Sequence, residues 1–319
     1  RAFYALPLLS NSEGLHTNAV YGVTTMLLKL IEEEKPTHFL FAFDAGKVTF
    51  RHADYQDYKG GRAKTPPELS EQWPLIKDLA AAFNIAQFEL EGYEADDIIG
   101  TLTRLADEEK MDVLVVTGDK DMLQLASDHV KIAVTRKGIS EMEIHDPAYI
   151  QEKYGLKPHQ IIDMKGLMGD TSDNIPGVPG VGEKTALKLL HEYGSVENVL
   201  ENAASIKGKL GEKLMAHADD ARLSKQLATI YREVPLTHTW DDMKFDGMDV
   251  DKVAGLFKRL EFKSLLEKLD ISSARSDEPA PELNIQVADA AGLPKLIDHL
   301  PNVRAIHVEV TGDNPHHGD

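Results

Sequence analysis

The chain has 319 residues, enough for about two domains, and its 42% hydrophobic and 28% charged residues are the ordinary balance of a globular protein. A formal net charge of −18 argues against a non-specific nucleic-acid coat protein, which would be basic. The absence of cysteine removes disulfides, thiolate nucleophiles and zinc–thiolate sites together, and fits a reducing cytoplasm. No apolar run reaches the roughly 18 residues of a membrane span, and no signal-peptide pattern opens the chain. It begins on Arg1 rather than Met, which points to further residues upstream.

Apolar periodicity predicts a helix from Val20 to Glu32, its face built from Leu27, Leu28, Leu30 and Ile31. The run Thr37 to Phe43 after Pro36 reads as a buried strand. A long helix follows from Glu68 to Phe83 and another from Glu94 to Glu109. Asp112 to Thr117 is a second buried strand and Lys131 to Thr135 a third. Apolar strands separated by helices imply βαβ units and a mostly parallel sheet, so residues 1–145 read as an α/β domain. Residues 146–270 show only helical patterns with Gly and Pro breaks, and read as a smaller all-α domain. Residues 271–281 form a polar, Pro-containing linker, and the 38 residues 282–319 look like the opening of another domain.

Carboxylates gather at the ends of these elements. Asp44 follows the first strand, and Thr117-Gly118-Asp119-Lys120-Asp121 ends the second. In an open parallel sheet the carboxyl ends of the strands line the functional crevice. Glu94-Ala95-Asp96-Asp97 opens a helix, and Gly169-Asp170-Thr171-Ser172-Asp173 supplies a fourth group. Each group alone has an ordinary explanation, since acids cap helices and form turns. Eight carboxylates in one crevice, however, would repel strongly without cations among them. An all-oxygen ligand set favours Mg²⁺ or Mn²⁺, and two such ions about 3.5–4 Å apart suit phosphodiester hydrolysis.

Two further stretches suit a polyanion. Arg51 to Lys64 is locally basic with interleaved tyrosines; Lys59 and Arg62 are placed to meet a phosphate, and Tyr58 to stack on a base. Pro179-Gly180-Val181-Gly182-Glu183-Lys184-Thr185 opens a helix whose free N–H groups and close-approaching glycines suit a phosphate, the pattern of a helix-hairpin-helix.

Tyr93-Glu94-Ala95-Asp96-Asp97, Thr117-Gly118-Asp119-Lys120-Asp121, Gly169 to Gly177 and Phe43-Asp44-Ala45 together resemble the motifs of the 5′ nuclease region of bacterial DNA polymerase I, a relative of the flap endonucleases. The resemblance covers residues 1–270. It implies a PIN-like α/β domain with a mostly parallel sheet flanked by helices, a helical arch around Tyr58 to Arg62, and an all-α helix-three-turn-helix DNA clamp. It implies cleavage of 5′ flaps, nicks and RNA-primer ends by two Mg²⁺ or Mn²⁺ ions, with K⁺ held at the hairpin. The expected catalytic groups are Asp44, Glu94, Asp119, Lys59 and Arg62. The expected metal ligands are Asp44, Glu94, Asp96, Asp97, Asp119, Asp121, Asp170 and Asp173. The expected DNA contacts are Arg51, Tyr58, Lys59, Arg62, Gly180, Gly182, Lys184 and Thr185. A monomer in the cytoplasm at the nucleoid, continuing natively into a polymerase domain, completes the implication.

Two departures stand out. The family's first strand, ending in Asp, precedes the segment matching Arg1 to Tyr4 and is absent. The tail resembles a proofreading-type domain but carries His307 where the Asp of an Asp-x-Glu motif ending at Glu309 is expected. Two other readings compete: a DNA-structure-binding module without catalysis, and a haloacid-dehalogenase-like phosphatase using Asp119-Lys120-Asp121. The second leaves the Gly180 hairpin and the Glu94 group unexplained.

Overall fold

The computed structural model describes residues 1–136 and 141–269. The linker and the tail with His307 therefore lie outside the described residues. Residues 1–270 form one compact unit.

Among the described residues, five strands form two sheets. β1 (Leu40–Ala42) and β2 (Ala86–Phe88) pair in parallel; β3 (Val113–Thr117) and β4 (Val130–Thr135) pair in parallel, and β5 (Met142–His145) joins β4 antiparallel. The three predicted strands form within their predicted spans, apart from one residue at the start of β4. β2 and β5 are additions, and β5 makes the sheet mixed. Helix Ala95–Glu108 packs against both β1 and β3, bridging the two sheets.

The expected helix from Glu68 to Phe83 is two helices, Pro67–Ser70 and Trp73–Ala82. The break has a polar cause. Gln72 is fully buried, and its Oε1 accepts from Ala19 N (2.8 Å) and Val20 N (3.2 Å), while its Nε2 donates to Asn18 Oδ1 at 2.9 Å. It caps the N-terminus of helix Asn18–Glu34, whose first-turn N–H groups would otherwise lack partners. Pro74 then restarts the chain in the first turn of the next helix.

The core does not respect the expected boundary at residue 145. Val115, Ile132 and Val134 of the three-stranded sheet share one cluster with Ile150, Ile161, Leu167, Leu189 and Ala221 from the helical half. Helix Val250–Leu260 turns back: Val253, Leu256, Phe257 and Leu260 pack with Leu27, Leu79 and Phe83. The segment expected to finish a separate helical domain thus completes the core of the first half.

Candidate active site

Five of the acids, Glu94, Asp96, Asp119, Asp121 and Asp173, line one open cleft together with Arg51, Tyr58 and Lys59. Asp119 and Asp121 follow β3 because the chain turns at Gly118 into the 3-10 helix Lys120–Leu125; Asp119 Oδ1 caps that turn by accepting from Asp121 N at 2.9 Å. Glu94 is the N-cap of helix Ala95–Glu108 and forms a capping box with Asp97, whose Oδ2 accepts from Glu94 N at 3.0 Å. Asp44, exposed, stands at the rim: its Oδ1 accepts from Ala95 N at 2.7 Å on the same helix end.

The loop carrying Asp170 and Asp173 is pinched at its neck. Asp170 N donates to Ile175 O (3.0 Å) and Ile175 N to Asp170 O (2.8 Å). Gly169 and Gly177 meet there with φ of +70° and +58°; a Cβ on Gly177 would lie 2.3 Å from Gly169 N, and one on Gly169 would lie 2.6 Å from Ile175 O. Only glycine suits both the left-handed backbone and the close approach.

Cations hold the acids in place. Lys59 Nζ lies 2.5 Å from Glu94 Oε1, and Arg62 Nη2 lies 2.5 Å from Asp173 Oδ1. Lys165, from helix Gln160–Met168, lies 2.6 Å from Asp170 Oδ2 and 3.0 Å from Asp121 Oδ1. Nothing in the sequence pattern singled out Lys165; its only signal was its place five residues before Asp170.

Three expected roles are corrected. Arg51 is only 2% exposed, and its guanidinium is consumed by Glu94, Asp97, Leu227 O and Thr229 O, so it cannot reach DNA. Asp97 is wholly buried, with both oxygens engaged by Arg51, Glu94 N and Tyr231 N, so it is not free to ligate an ion. Tyr58 is 4% exposed and its hydroxyl donates to Glu94 Oε2 at 3.3 Å, so its ring is not free to stack on a base. Burial and the neighbouring Glu94 raise its phenol above the ordinary range.

The hairpin residues lie outside the lining of this cleft. Gly182 is the N-cap of helix Glu183–Tyr193 with no side-chain cap, which leaves first-turn N–H groups outward, and Lys184 is exposed with Thr185 half-buried beside it. A Cβ on Gly180 would meet the Lys213 ammonium at 2.6 Å, so a second cation flanks the hairpin, brought from helix Lys209–Ala216 by the fold.

Among the described residues no three Asp, Glu or His side chains converge closely enough to chelate an ion by themselves. The charge balance nevertheless fits a cation. Burial, then Asp119 and Glu94, push Asp96 up to about 7, and burial with Asp119 pushes Asp121 up to about 6. Asp121 Oδ1 is buried and, although Lys165 is at ion-pair distance, accepts no well-aligned hydrogen bond. Acids crowded until two resist ionisation are a negative site short of positive charge.

A resolvase-like α/β layer with a helical SAM fold behind it defines the class as 5′ nucleases. The chain belongs to the 5′-3′ exonuclease family: the N-terminal resolvase-like domain of that family matches residues 1–155, and its C-terminal SAM fold matches residues 156–251. DNA polymerase I of Bacillus caldotenax is 54% identical over 317 residues, covering 99% of this chain and 36% of the relative. DNA polymerase I of Bacillus subtilis (strain 168) is 52% identical over 320 residues with the same coverage. The chain thus spans just over a third of the length of these relatives. Among solved structures, bacteriophage T5 5′-exonuclease with bound zinc ions shares the fold at a TM-score of 0.56 and 22% identity, over 80% of this chain and 90% of that one. The catalytic core of Rad2 in complex with DNA substrate shares it at 0.56 and 18%, over 80% and 85%. The family match excludes the phosphatase reading of Asp119-Lys120-Asp121. No helix among the described residues is long and apolar enough to cross a membrane.

Proposed function

We propose that the chain is a metal-dependent 5′ nuclease that removes 5′ flaps, nicked 5′ ends and RNA-primer ends from DNA. The observation that carries this is the single cleft lined by Glu94, Asp96, Asp119, Asp121 and Asp173 beyond the end of β3, with Lys59 beside it. Membership of the 5′-3′ exonuclease family, the zinc ions of the T5 exonuclease and the DNA of the Rad2 complex support it. Asp44, Glu94, Asp96, Asp119, Asp121, Asp170 and Asp173 are the groups that would hold two Mg²⁺ or Mn²⁺ ions. Bound there, such ions supply an activated water and neutralise the leaving oxygen.

The chain's own residues do the rest. Lys59 and Arg62 stand over Glu94 and Asp173 and offer their donors to the phosphate next to the scissile bond. Arg51 and Asp97 fix the helix that carries Glu94 and Asp96. The Gly180–Thr185 hairpin, with Lys184, grips the backbone of the duplex without reading sequence, and K⁺ would sit at its loop. The native protein in this reading is a monomeric cytoplasmic DNA polymerase I, acting at the nucleoid in replication and repair, whose polymerase domain follows this chain.

A second reading is a DNA-structure-binding module without catalysis, favoured by the lack of a converged chelating triad among the described residues. Single-turnover cleavage of a labelled 5′ flap in MgCl₂ decides. Cleavage abolished by EDTA supports the nuclease; tight flap binding with no cleavage supports the binding module.

A further inference from the structure

One ammonium beside the cleft stands where two acids meet. Lys165 Nζ spans Asp170 Oδ2 at 2.6 Å and Asp121 Oδ1 at 3.0 Å, joining the turn after β3 to the pinched Gly169–Gly177 loop. Its side chain is 17% exposed, and among the described residues no other acid pairs with it. The two acids are unevenly served: Asp170 Oδ1 also accepts from Ser172 N (2.9 Å) and Oγ (2.6 Å), whereas the buried Asp121 Oδ1, at ion-pair distance from Lys165, has no aligned donor. One ammonium thus serves two carboxylates.

We propose that Lys165 is the resident counter-ion of the Asp121–Asp170 pair and competes with the divalent ion for those two carboxylates. The inference rests on the metal-dependent reading above. A lysine on a four-carbon stem can hold two acids together and still swing away, because its point charge needs no fixed fork geometry. A divalent ion brings twice the charge to the same oxygens but must first displace the ammonium. The competition has two linked effects: Lys165 stabilises the metal-free fold and weakens metal binding. Once displaced, its Nζ is released from both carboxylates.

The test is Mn²⁺ binding by isothermal titration calorimetry at fixed ionic strength, together with melting in EDTA, for the parent chain, Lys165→Met and Lys165→Arg. Lys165→Met is expected to melt lower in EDTA yet bind Mn²⁺ about tenfold more tightly, the scale of one pKa unit of interaction. Lys165→Arg is expected to keep the parent's EDTA stability without any gain in affinity. Equal or weaker Mn²⁺ binding by Lys165→Met overturns the proposal and leaves Lys165 a structural tie. If Lys165→Met fails to fold, the parent decides: Mg²⁺ must shift the Lys165 side-chain ammonium resonance, and an unmoved resonance under saturating Mg²⁺ overturns it. A parent that binds no Mn²⁺ refutes the metal-dependent reading itself, a distinct result.

Discussion

Arg51 grips Asp97 with two parallel hydrogen bonds, Nη1 to Oδ2 at 2.9 Å and Nη2 to Oδ1 at 2.8 Å, and Asp97 is wholly shielded from water. The same guanidinium reaches Glu94 Oε2 at 3.1 Å and the carbonyls of Leu227 and Thr229. One side chain therefore joins the short helix Phe50–Asp54, the acid-bearing helix Ala95–Glu108 and the strap after helix Ala218–Ala228.

Arg51→Met leaves Asp97 a buried charge without its partner, which is expected to cost about 3–5 kcal/mol of stability. Urea unfolding measures it. The double variant Arg51→Met/Asp97→Leu is expected to recover part of that loss, because an apolar pair carries no stranded charge. Additive losses would show that the two residues act separately.

Asp119→Asn is expected to slow single-turnover flap cleavage by about hundredfold or more, in line with loss of a group that stabilises the transition state. DNA affinity measured in Ca²⁺ is expected to stay close to the parent's. Near-parental cleavage would remove Asp119 from the metal site.

Lys59→Ala and Arg62→Ala are expected to slow cleavage if, as proposed, these cations meet the phosphate beside the acids they pair with. Lys184→Ala, on the exposed hairpin, is expected to weaken binding chiefly and to reduce the slope of log affinity against log salt by about one. An unchanged slope would take Lys184 off the DNA backbone.

Mg²⁺ is expected to raise the melting temperature beyond NaCl at matched ionic strength, with about 2.7 kcal/mol of stabilisation at 100 times the dissociation constant. Asp119→Asn, with one repulsion and one ligand fewer, is expected to melt higher than the parent in EDTA and to gain less from Mg²⁺. Identical shifts in the two salts would mean that the acids hold no ion.

His145 gives a pH signature apart from the cleft. Burial, then Lys153, Lys120 and Arg136, lower its pKa to about 4, although Glu143 Oε1 lies 3.2 Å from Nε2. Between pH 6.5 and about 4 the unfolded chain binds the proton that the folded chain refuses, so this contribution to stability falls as pH falls. It is fully regained above pH 6.5. The difference in urea midpoint between the parent and His145→Gln is expected to change across that window and to be flat above it. A flat difference throughout would show that His145 titrates normally.

The elements legible in the sequence are those whose periodicity matches their burial. The apolar stripe of helix Asn18–Glu34 and the continuous run of β3 fall into this group. β2 escaped notice because three residues carry no period. β5 escaped because its inward residues are polar: His145 is buried and Glu143 is nearly so, ringed by Arg136, Lys153 and Tyr149. In the site, the acids were legible as short motifs at element ends. Their solvent exposure was not. Arg51 and Tyr58 sit in a basic stretch that reads as surface, yet both are buried by contacts with residues far away in the chain. Asp97 read as a ligand, although its spacing from Glu94 also fits the capping box observed.

The facing glycines at positions 169 and 177 make the Asp170–Asp173 segment a closed ring with a fixed circumference. Its two acids cannot be re-aimed one at a time, because a side chain at either neck glycine would spread the ring and carry both carboxylates with it. Attempts to re-space this site for a larger ion must therefore work from the turn after β3, where Asp119 caps and Asp121 opens the 3-10 helix Lys120–Leu125.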